Sequence, residues 1–544
     1  MLTNVKDFGA AGDGIQDDRP CIQSAIDHAV SHNTGGIFFP AGTYRVSRID
    51  NKVVPDGRWS LDLNGVQDFM VLGEGPKSVV KLVDTTDPKS TGNWHVFILR
   101  NNCRRVVFKN LVIDGNRTGL TKPSEQSHGI EVEPGTEDLV VDGCILRECF
   151  GDGMRLLGAP GQHVKRLRIE NSLFQTNKRS GLSIQRALEQ VIIANCTFDA
   201  TVTDQSIDFE PSGHDGPTDL VIHGCIINHT NGTPAVTLSG KNGAEPLVRC
   251  KFTDNVVTGG NIFCTDVQHL TIQNNTVRVA SLGNGQHVPI VIQRGGESLI
   301  ISGNMLVNDD PATRIVILLD AVNQRQVTRA IVANNLCVTG AGIGIQCLSS
   351  DDIAIQGNMI VATGECSHGI AVRSESSDVD NISVRDNDIT VAGTGKWDSG
   401  IHMAASGRNG VEQHVAGISI LGNSIRGATN ALVFQAFDNG VFLDSPVCAL
   451  NRIADDVQVP FVGIENLLSE SIIVGGVTSR GREPSQGGST AHSGAGRTIA
   501  GLGSPEGKVV GNVGDIFQQL NGTPGKTLWV KESGNSTPTG WVAK

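Results

Sequence analysis

One pattern limits what this chain can fold into. From about residue 106 to 455, a short apolar strand, a polar turn residue and a second short strand recur along the sequence. The turn residue is usually Asn: Asn110, Asn171, Asn195, Asn255, Asn275, Asn304, Asn335, Asn358, Asn387, Asn423 and Asn451, with Cys144 and Cys225 in the same place. Successive anchors lie 20 to 36 residues apart. A strand of strict alternation follows, as in HGIEVEP (128–134), SGLSIQR (180–186) and QSIDFEP (205–211). Alternation sends one set of side chains inward and the other outward. Strands this short cannot bury an apolar face alone, so neighbours must stack. A period of this size built from strands and turns predicts a parallel β-solenoid, with coils ~4.8 Å apart. Asn suits the turns because it tolerates left-handed backbone, and stacking is expected to align the amides as a ladder.

Composition narrows the class. Glycine supplies 66 of 544 residues, and charged residues make up 18 % against a usual ~25 %. No apolar run approaches the ~18 residues of a membrane-spanning helix. The net charge of −12 argues against general nucleic-acid binding, which depends on phosphate neutralisation. Twelve cysteines with no CxxC pair or zinc-type spacing read as free, buried thiols. The opening Met1-Leu-Thr-Asn-Val shows no charged-then-apolar leader, so the expectation is either that no secretory signal exists or that it has been trimmed. Tyr44 is the single tyrosine.

The first hundred residues differ. Asp17, Asp18 and Pro20 precede Cys21, Ile22, Ala25, Ile26, Ala29 and Val30 at helical spacing, which predicts a capping helix with N-terminal acids. NVKDFGAAGDGIQDDRPCIQSAIDHA (4–29), GGIFFPAGTYRVS (35–47) and VLGEGPKSVVKL (71–82) closely resemble the opening of pectate-lyase-superfamily proteins. That resemblance implies a right-handed parallel β-helix over roughly residues 4–460, in a superfamily of hydrolases, lyases, epimerases, transferases and adhesins. Residues 475–507 are rich in Gly and Ser and read as a linker. Residues 513–544 resemble tail segments of phage-type β-helix proteins, which implies a homotrimer and an extracellular or virion-associated setting. The expected division is 1–105, cap and first coils; 106–460, β-helix with a groove site; 461–512, linker; 513–544, a small β segment.

Aligned strands place Glu131, Arg155, Ser183 and Asp208 in one outward column, and Glu133, Leu157, Gln185 and Glu210 in the next. Asp208 and Glu210 are the expected acid/base pair, with Cβ atoms roughly 6.7 Å apart on one strand. Two close carboxyls split their pKa values, so that one stays protonated while the other is ionised. Glu131, Glu133, Arg155, Gln185, Arg186, His214 and Asp215 are the expected substrate-binding residues. Glu131 and Glu133 equally suit a second acid pair, a sugar subsite or, with Asp152, oxygen ligands for calcium. His128 is a candidate within this cluster; His368 and His402 read as turn or surface residues. The competing assignment for Asp208 and Glu210 is a solvated strand face.

Tyr44 lies far from these coils, which argues against tyrosine-based elimination. The expected activity is carboxylate-based glycosidic cleavage of a polysaccharide of the tailspike-depolymerase kind, with no resident cofactor. A lyase, with calcium as a possible helper, a glycan transferase and a non-catalytic adhesin or virion tail protein remain open.

Overall fold

The computed structural model describes residues 2–462 and 498–544, less the stretches 50–57, 85–92, 122, 200–202, 211–215, 242–244, 281–287, 311–313, 323–324, 407–411, 438–439, 444–446, 502–503, 510, 520–522 and 536. It divides into two compact units, Met1–Val291 and Ile292–Lys544.

The first unit opens with helix α1, Arg19–Ser31, which buries Ile22, Ala25, Ile26 and Ala29. These are the i, i+3, i+4 and i+7 positions of one helix face. Val30 falls off that face and is exposed. The acids act differently from expectation. Asp18 occupies the N-cap without a side-chain capping bond; its buried carboxylate accepts from the Ala11 and Gly12 amides at 2.7 and 3.1 Å. A Cβ on Gly12 would lie 2.8 Å from the Tyr44 ring. The Tyr44 hydroxyl donates to the Pro40 carbonyl at 2.9 Å, and burial pushes its pKa up to about 12. The GDG and PAGTY motifs therefore hold each other together.

Beyond the cap, the chain winds as a right-handed parallel β-helix. A typical coil contributes three strands, such as Ile130–Val132, Glu137–Asp142 and Ile145–Arg147. Each pairs in parallel with its counterpart one coil later, at Met154–Leu156, Val164–Glu170 and Leu173–Gln175. The strands that carry the site are β1, His95–Arg100; β2, Ile130–Val132; β3, Met154–Leu156; β4, Leu182–Ile184; β5, Ile207–Phe209; and β6, Val236–Ser239. Gly129, Gly153 and Gly181 precede β2, β3 and β4, and here the coils approach too closely for a side chain. A Cβ on Gly153 would meet the Gly181 carbonyl at 2.7 Å and the Phe174 ring at 2.9 Å. Phe174 stacks on Phe198 with ring centroids 4.7 Å apart beneath them.

The second unit repeats the plan, with strands such as Ile315–Asp320, Val327–Ala333 and Leu336–Thr339. It also holds a four-stranded sheet of Thr498–Gly501, Ile516–Gln519, Leu528–Lys531 and Trp541–Ala543. The linker residues 463–497 lie outside the described residues. Here the Asn ladder is continuous: Asn335, Asn358, Asn387 and Asn423 each donate a side-chain amide to the next Asn at 2.9 or 3.0 Å.

The anchors were read one residue out of phase in places. The left-handed residue precedes the ladder Asn, as at Asn274, Asn334 and Asp386. Asn110, Asn171 and Asn195 are themselves left-handed, so their ladder positions belong to Leu111, Ser172 and Cys196. Ser172 Oγ accepts from the Cys144 amide at 3.2 Å, as Asn275 Oδ1 accepts from the Asn255 amide at 2.9 Å. The physical demand at this position is an acceptor for a buried N–H, which Asn and Ser both meet. All twelve cysteines are free, and eleven are buried.

Candidate active site

The expected columns form. Glu131, Arg155, Ser183 and Asp208 pair in register across β2, β3, β4 and β5. They are not a solvated face. Asp208 is 6 % exposed, Glu131 is 4 % and Ser183 is 0 %. Side chains from neighbouring coils cover them. The Thr237 hydroxyl on β6 donates to Asp208 Oδ1 at 2.6 Å. Gln185 and Arg179 donate to Glu210 at 3.2 and 2.9 Å.

Asp208 lies on β5 and Glu210 directly follows that strand, and each carboxyl bears on the acidity of the other. Their environments drive them apart in acidity. Burial, helped by the neighbouring Glu210, raises Asp208 to about 7 despite the Thr237 hydrogen bond. Burial also pushes Glu210 upward, but the Arg179 guanidinium with hydrogen bonds from Gln185, Asp208 and Arg179 outweighs it and leaves Glu210 below the usual range. Of the two, Asp208 is the carboxyl that keeps its proton toward neutral pH, and Glu210 is the ionised one.

The polar contacts continue toward the N-terminal coils. Arg155 donates to Gln185 at 2.8 Å and to Glu131 at 3.2 Å. Arg179 Nε lies 3.6 Å from both Asp152 and Asp204. Burial lifts Asp152 to about 7 and Glu131 to about 8, although Arg179 and Arg155 oppose it.

A second column was missed because it lies at the bend before the strands, where alternation says nothing. His128 donates its backbone N–H to His95 Nδ1 at 3.3 Å. Asp152 donates its own to His128 Nδ1 at 2.9 Å, and Ser180 to Asp152 Oδ1 at 3.0 Å. The two imidazoles stack with centroids 5.1 Å apart and an 8° interplanar angle. A legible signal existed: His128, Asp152 and Ser180 each immediately precede the glycine that opens a site strand. Arg179 and Thr237 are two further site residues that the column alignment does not single out.

Other expected residues divide. Glu133 is half-buried, and burial raises its pKa. Arg186 donates to the Gly158 carbonyl at 3.3 Å, which ties it to the coil. His214 and Asp215 lie outside the described residues. His368 and His402 are half-buried and stack at 4.3 Å, so they are not free surface groups.

Calcium prefers six to eight oxygens. Glu131, Glu133 and Asp152 do not gather into such a set. Among the described residues, His95, His128 and Glu131 alone form a group of three potential ligands whose atoms all lie within 4.8 Å. Among the described residues, Glu131, Glu133 and Asp152 do not form a calcium site.

Residues 2–233 match the family described as rhamnogalacturonase A/epimerase, pectate lyase-like. Part of the chain is similar in sequence to proteins of Azotobacter vinelandii. Mannuronan C5-epimerase AlgE4 is 30 % identical over 201 residues, 36 % of this chain and 34 % of that protein. Alginate lyase 7 is 30 % identical over 203 residues, 36 % of this chain and 22 % of that protein. The chain thus spans about a third or less of their length. Among solved structures, the AlgE6 epimerase A-module of the same organism covers 81 % of this chain and 98 % of its own, at 21 % identity and a TM-score of 0.38. The N-terminal fragment of bacteriophage phi29 gene product 12 covers 85 % and 91 %, at 12 % identity and a TM-score of 0.49. The match to the pectate-lyase-like family is confined to residues 2–233, less than half of the chain.

Proposed function

We propose that this pectate-lyase-like β-helix is a polysaccharide-modifying enzyme that cleaves glycosidic bonds, with Asp208 as general acid and Glu210 as general base. The observation that carries this reading is the split pair: two neighbouring carboxyls, Asp208 under Thr237 and raised to about 7 by burial, and Glu210 held ionised beside Arg179. A group with a pKa near neutrality suits proton donation to a leaving oxygen. The accessible partner is Glu210, whose side chain is 39 % exposed and can take a proton from water or substrate. Thr237 orients Asp208, while Gln185 and Arg179 orient Glu210. A polysaccharide substrate belongs to the same reading, supported by the sequence relatives; an extracellular or virion-associated setting and a homotrimer rest on the tail resemblance.

Hydrolysis is the simplest outcome, with Glu210 activating water. Elimination is the second reading, and a specific observation favours it. Glycosidases that work with two carboxyls hold them ~5–9.5 Å apart to flank the sugar. Here Asp208 lies on β5 and Glu210 directly follows it, an arrangement suited to removing and delivering a proton on one face. The similarity to epimerases and a lyase supports the same alternative.

Mass spectrometry of products from a panel of neutral and acidic polysaccharides tests the proposal. Products that carry an added water establish hydrolysis; unsaturated products absorbing in the ultraviolet establish elimination. Cleavage that survives in both Asp208→Asn and Glu210→Gln overturns the residue assignment. Binding without turnover across the panel counts against the enzyme reading.

A further inference from the structure

Two of the buried thiols stand opposite each other. Cys196 directly precedes the strand Thr197–Asp199 and Cys225 directly precedes Ile226–Asn228, and these strands pair in parallel with Thr197 opposite Ile226. The Ile226 amide donates to the Cys196 carbonyl at 2.9 Å, so the register runs back through the two cysteines. Their Cα atoms are one coil spacing apart, ~4.8 Å, within the ~4.4–6.8 Å that a disulfide spans. Among the described residues no other two cysteines face each other on paired strands: Cys250 lies opposite Leu220 and Leu270, and Cys264 opposite Leu238.

Both cysteines occupy rungs of the ladder. Asn255 fills the next rung, where its Oδ1 accepts from the Cys225 amide at 2.9 Å and its Nδ2 donates to the Ile222 carbonyl at 3.0 Å. The thiols make looser contacts in its place. Cys196 Sγ lies 3.4 Å from the Ile169 carbonyl oxygen, and Cys225 Sγ lies 3.9 Å from that of Ile193. A thiol is a weak donor, so little is lost when the two S–H groups go. Each sulfur also bears on the acidity of the other. The Cys225 thiol, with burial, pushes Cys196 up, whereas Cys196 holds Cys225 below the usual thiol range against burial. Cys225 is therefore the sulfur that ionises first, and the thiolate is the reactive form.

We propose that Cys196 and Cys225 form a reversible disulfide under a peroxide, stapling the coil that carries Asp208 and Glu210 to the coil that carries Ser183 and Gln185. The Cys225 thiolate attacks one oxygen of hydrogen peroxide; the O–O bond breaks, leaving a sulfenic acid and hydroxide. The Cys196 thiol then attacks the sulfenic sulfur, the S–S bond forms, and the S–O bond breaks as the hydroxyl takes the thiol proton and leaves as water. In all, two thiols give up two electrons and one peroxide becomes two waters. A disulfide holds its Cβ atoms ~3.5–4.5 Å apart, closer than the ~4.8 Å coil spacing, so the bond draws the coils together at this corner and stays open to reduction by a dithiol. The staple does not depend on the catalytic reading.

Peroxide treatment of the reduced full chain tests this, in a Cys21→Ser background because Cys21 is the one thiol not buried. The remaining thiols are alkylated in denaturant, and the chain is cut at acidic residues, since no Lys or Arg lies between Arg186 and Lys241. Mass spectrometry is expected to find one linked pair of peptides, bearing Cys196 and Cys225, that dithiothreitol separates. Amide hydrogen exchange in the strands Ile207–Phe209 and Thr218–His223 is expected to slow about tenfold or more on oxidation. Serine fills the same kind of rung at Ser172, so Cys196→Ser and Cys225→Ser are expected to keep the fold and lose both effects; Cys225→Asn, which extends the Asn ladder, is a second such variant. No link under peroxide, a Cys250–Cys264 link, oxidation of Cys225 that runs on to a sulfinic acid, or a link that leaves exchange unchanged overturns the proposal.

Discussion

Asp208→Asn separates a proton donor from an ordinary surface acid through stability and activity together. An unperturbed aspartate has a pKa near 3.8, and Asp208 stands at about 7 in the folded chain. A difference of ~3 units corresponds to roughly 4 kcal/mol between its two protonation states. Its sign follows from linkage. Below pH ~4 both folded and unfolded chains hold the proton, and stability is undiminished. As the pH rises, the unfolded chain loses the proton first, and stability falls by ~1.4 kcal/mol per pH unit until the folded group ionises near 7. Asparagine is neutral throughout and keeps a similar shape against Thr237 and Glu210. The variant therefore gains on the wild type by roughly 3 kcal/mol between pH 5 and pH 8. Denaturant unfolding of both proteins at the two pH values measures this directly, because other titrating groups largely cancel in the difference. The same substitution removes the proton donor, and turnover is expected to fall by ~10²–10⁴-fold. If the stability difference is the same at both pH values, Asp208 is ionised throughout and cannot be the general acid.

Three further outcomes follow from other parts of the molecule. In Arg179→Gln, burial acts on Glu210 with only Gln185 and Asp208 left to oppose it, and its pKa rises; the acid limb of the pH–activity profile, which requires ionised Glu210, is expected to move up by about 1–3 pH units. Asn358→Leu removes the acceptor for the Asn335 amide at 3.0 Å and the donor to the Val332 carbonyl at 2.9 Å. At ~1–3 kcal/mol for each buried group left unpaired, unfolding is expected to lose about 2–6 kcal/mol, read by denaturant melts, with local hydrogen exchange accelerated around that coil. Eleven of the twelve free thiols are buried, so the native chain is expected to give at most one rapid thiol, Cys21, with a disulfide reagent at pH 8 and all twelve in denaturant.

The difference between what was legible and what was not follows from what periodicity encodes. Parallel strands stacked in register turn a two-residue alternation into straight columns, so Glu131, Arg155, Ser183 and Asp208 could be aligned from sequence. The same logic fails at the bends, where His95, His128, Asp152 and Ser180 build a column through side-chain acceptors for backbone N–H groups. It also erred by one residue at Asn110, Asn171 and Asn195, because a left-handed turn residue and the inward amide beside it both favour Asn for different reasons. Alternation states which face a residue occupies, not what lies over that face. Asp208 points away from the solenoid core yet is 6 % exposed, because Thr237 and Glu210 close over it. Arg179 lies outside the alternating strands, and it holds Glu210 ionised beside a protonated neighbour. Direction along the columns is thus local and readable, whereas the acidity that makes a pair of carboxyls useful depends on cover supplied from adjacent coils 25 to 31 residues away.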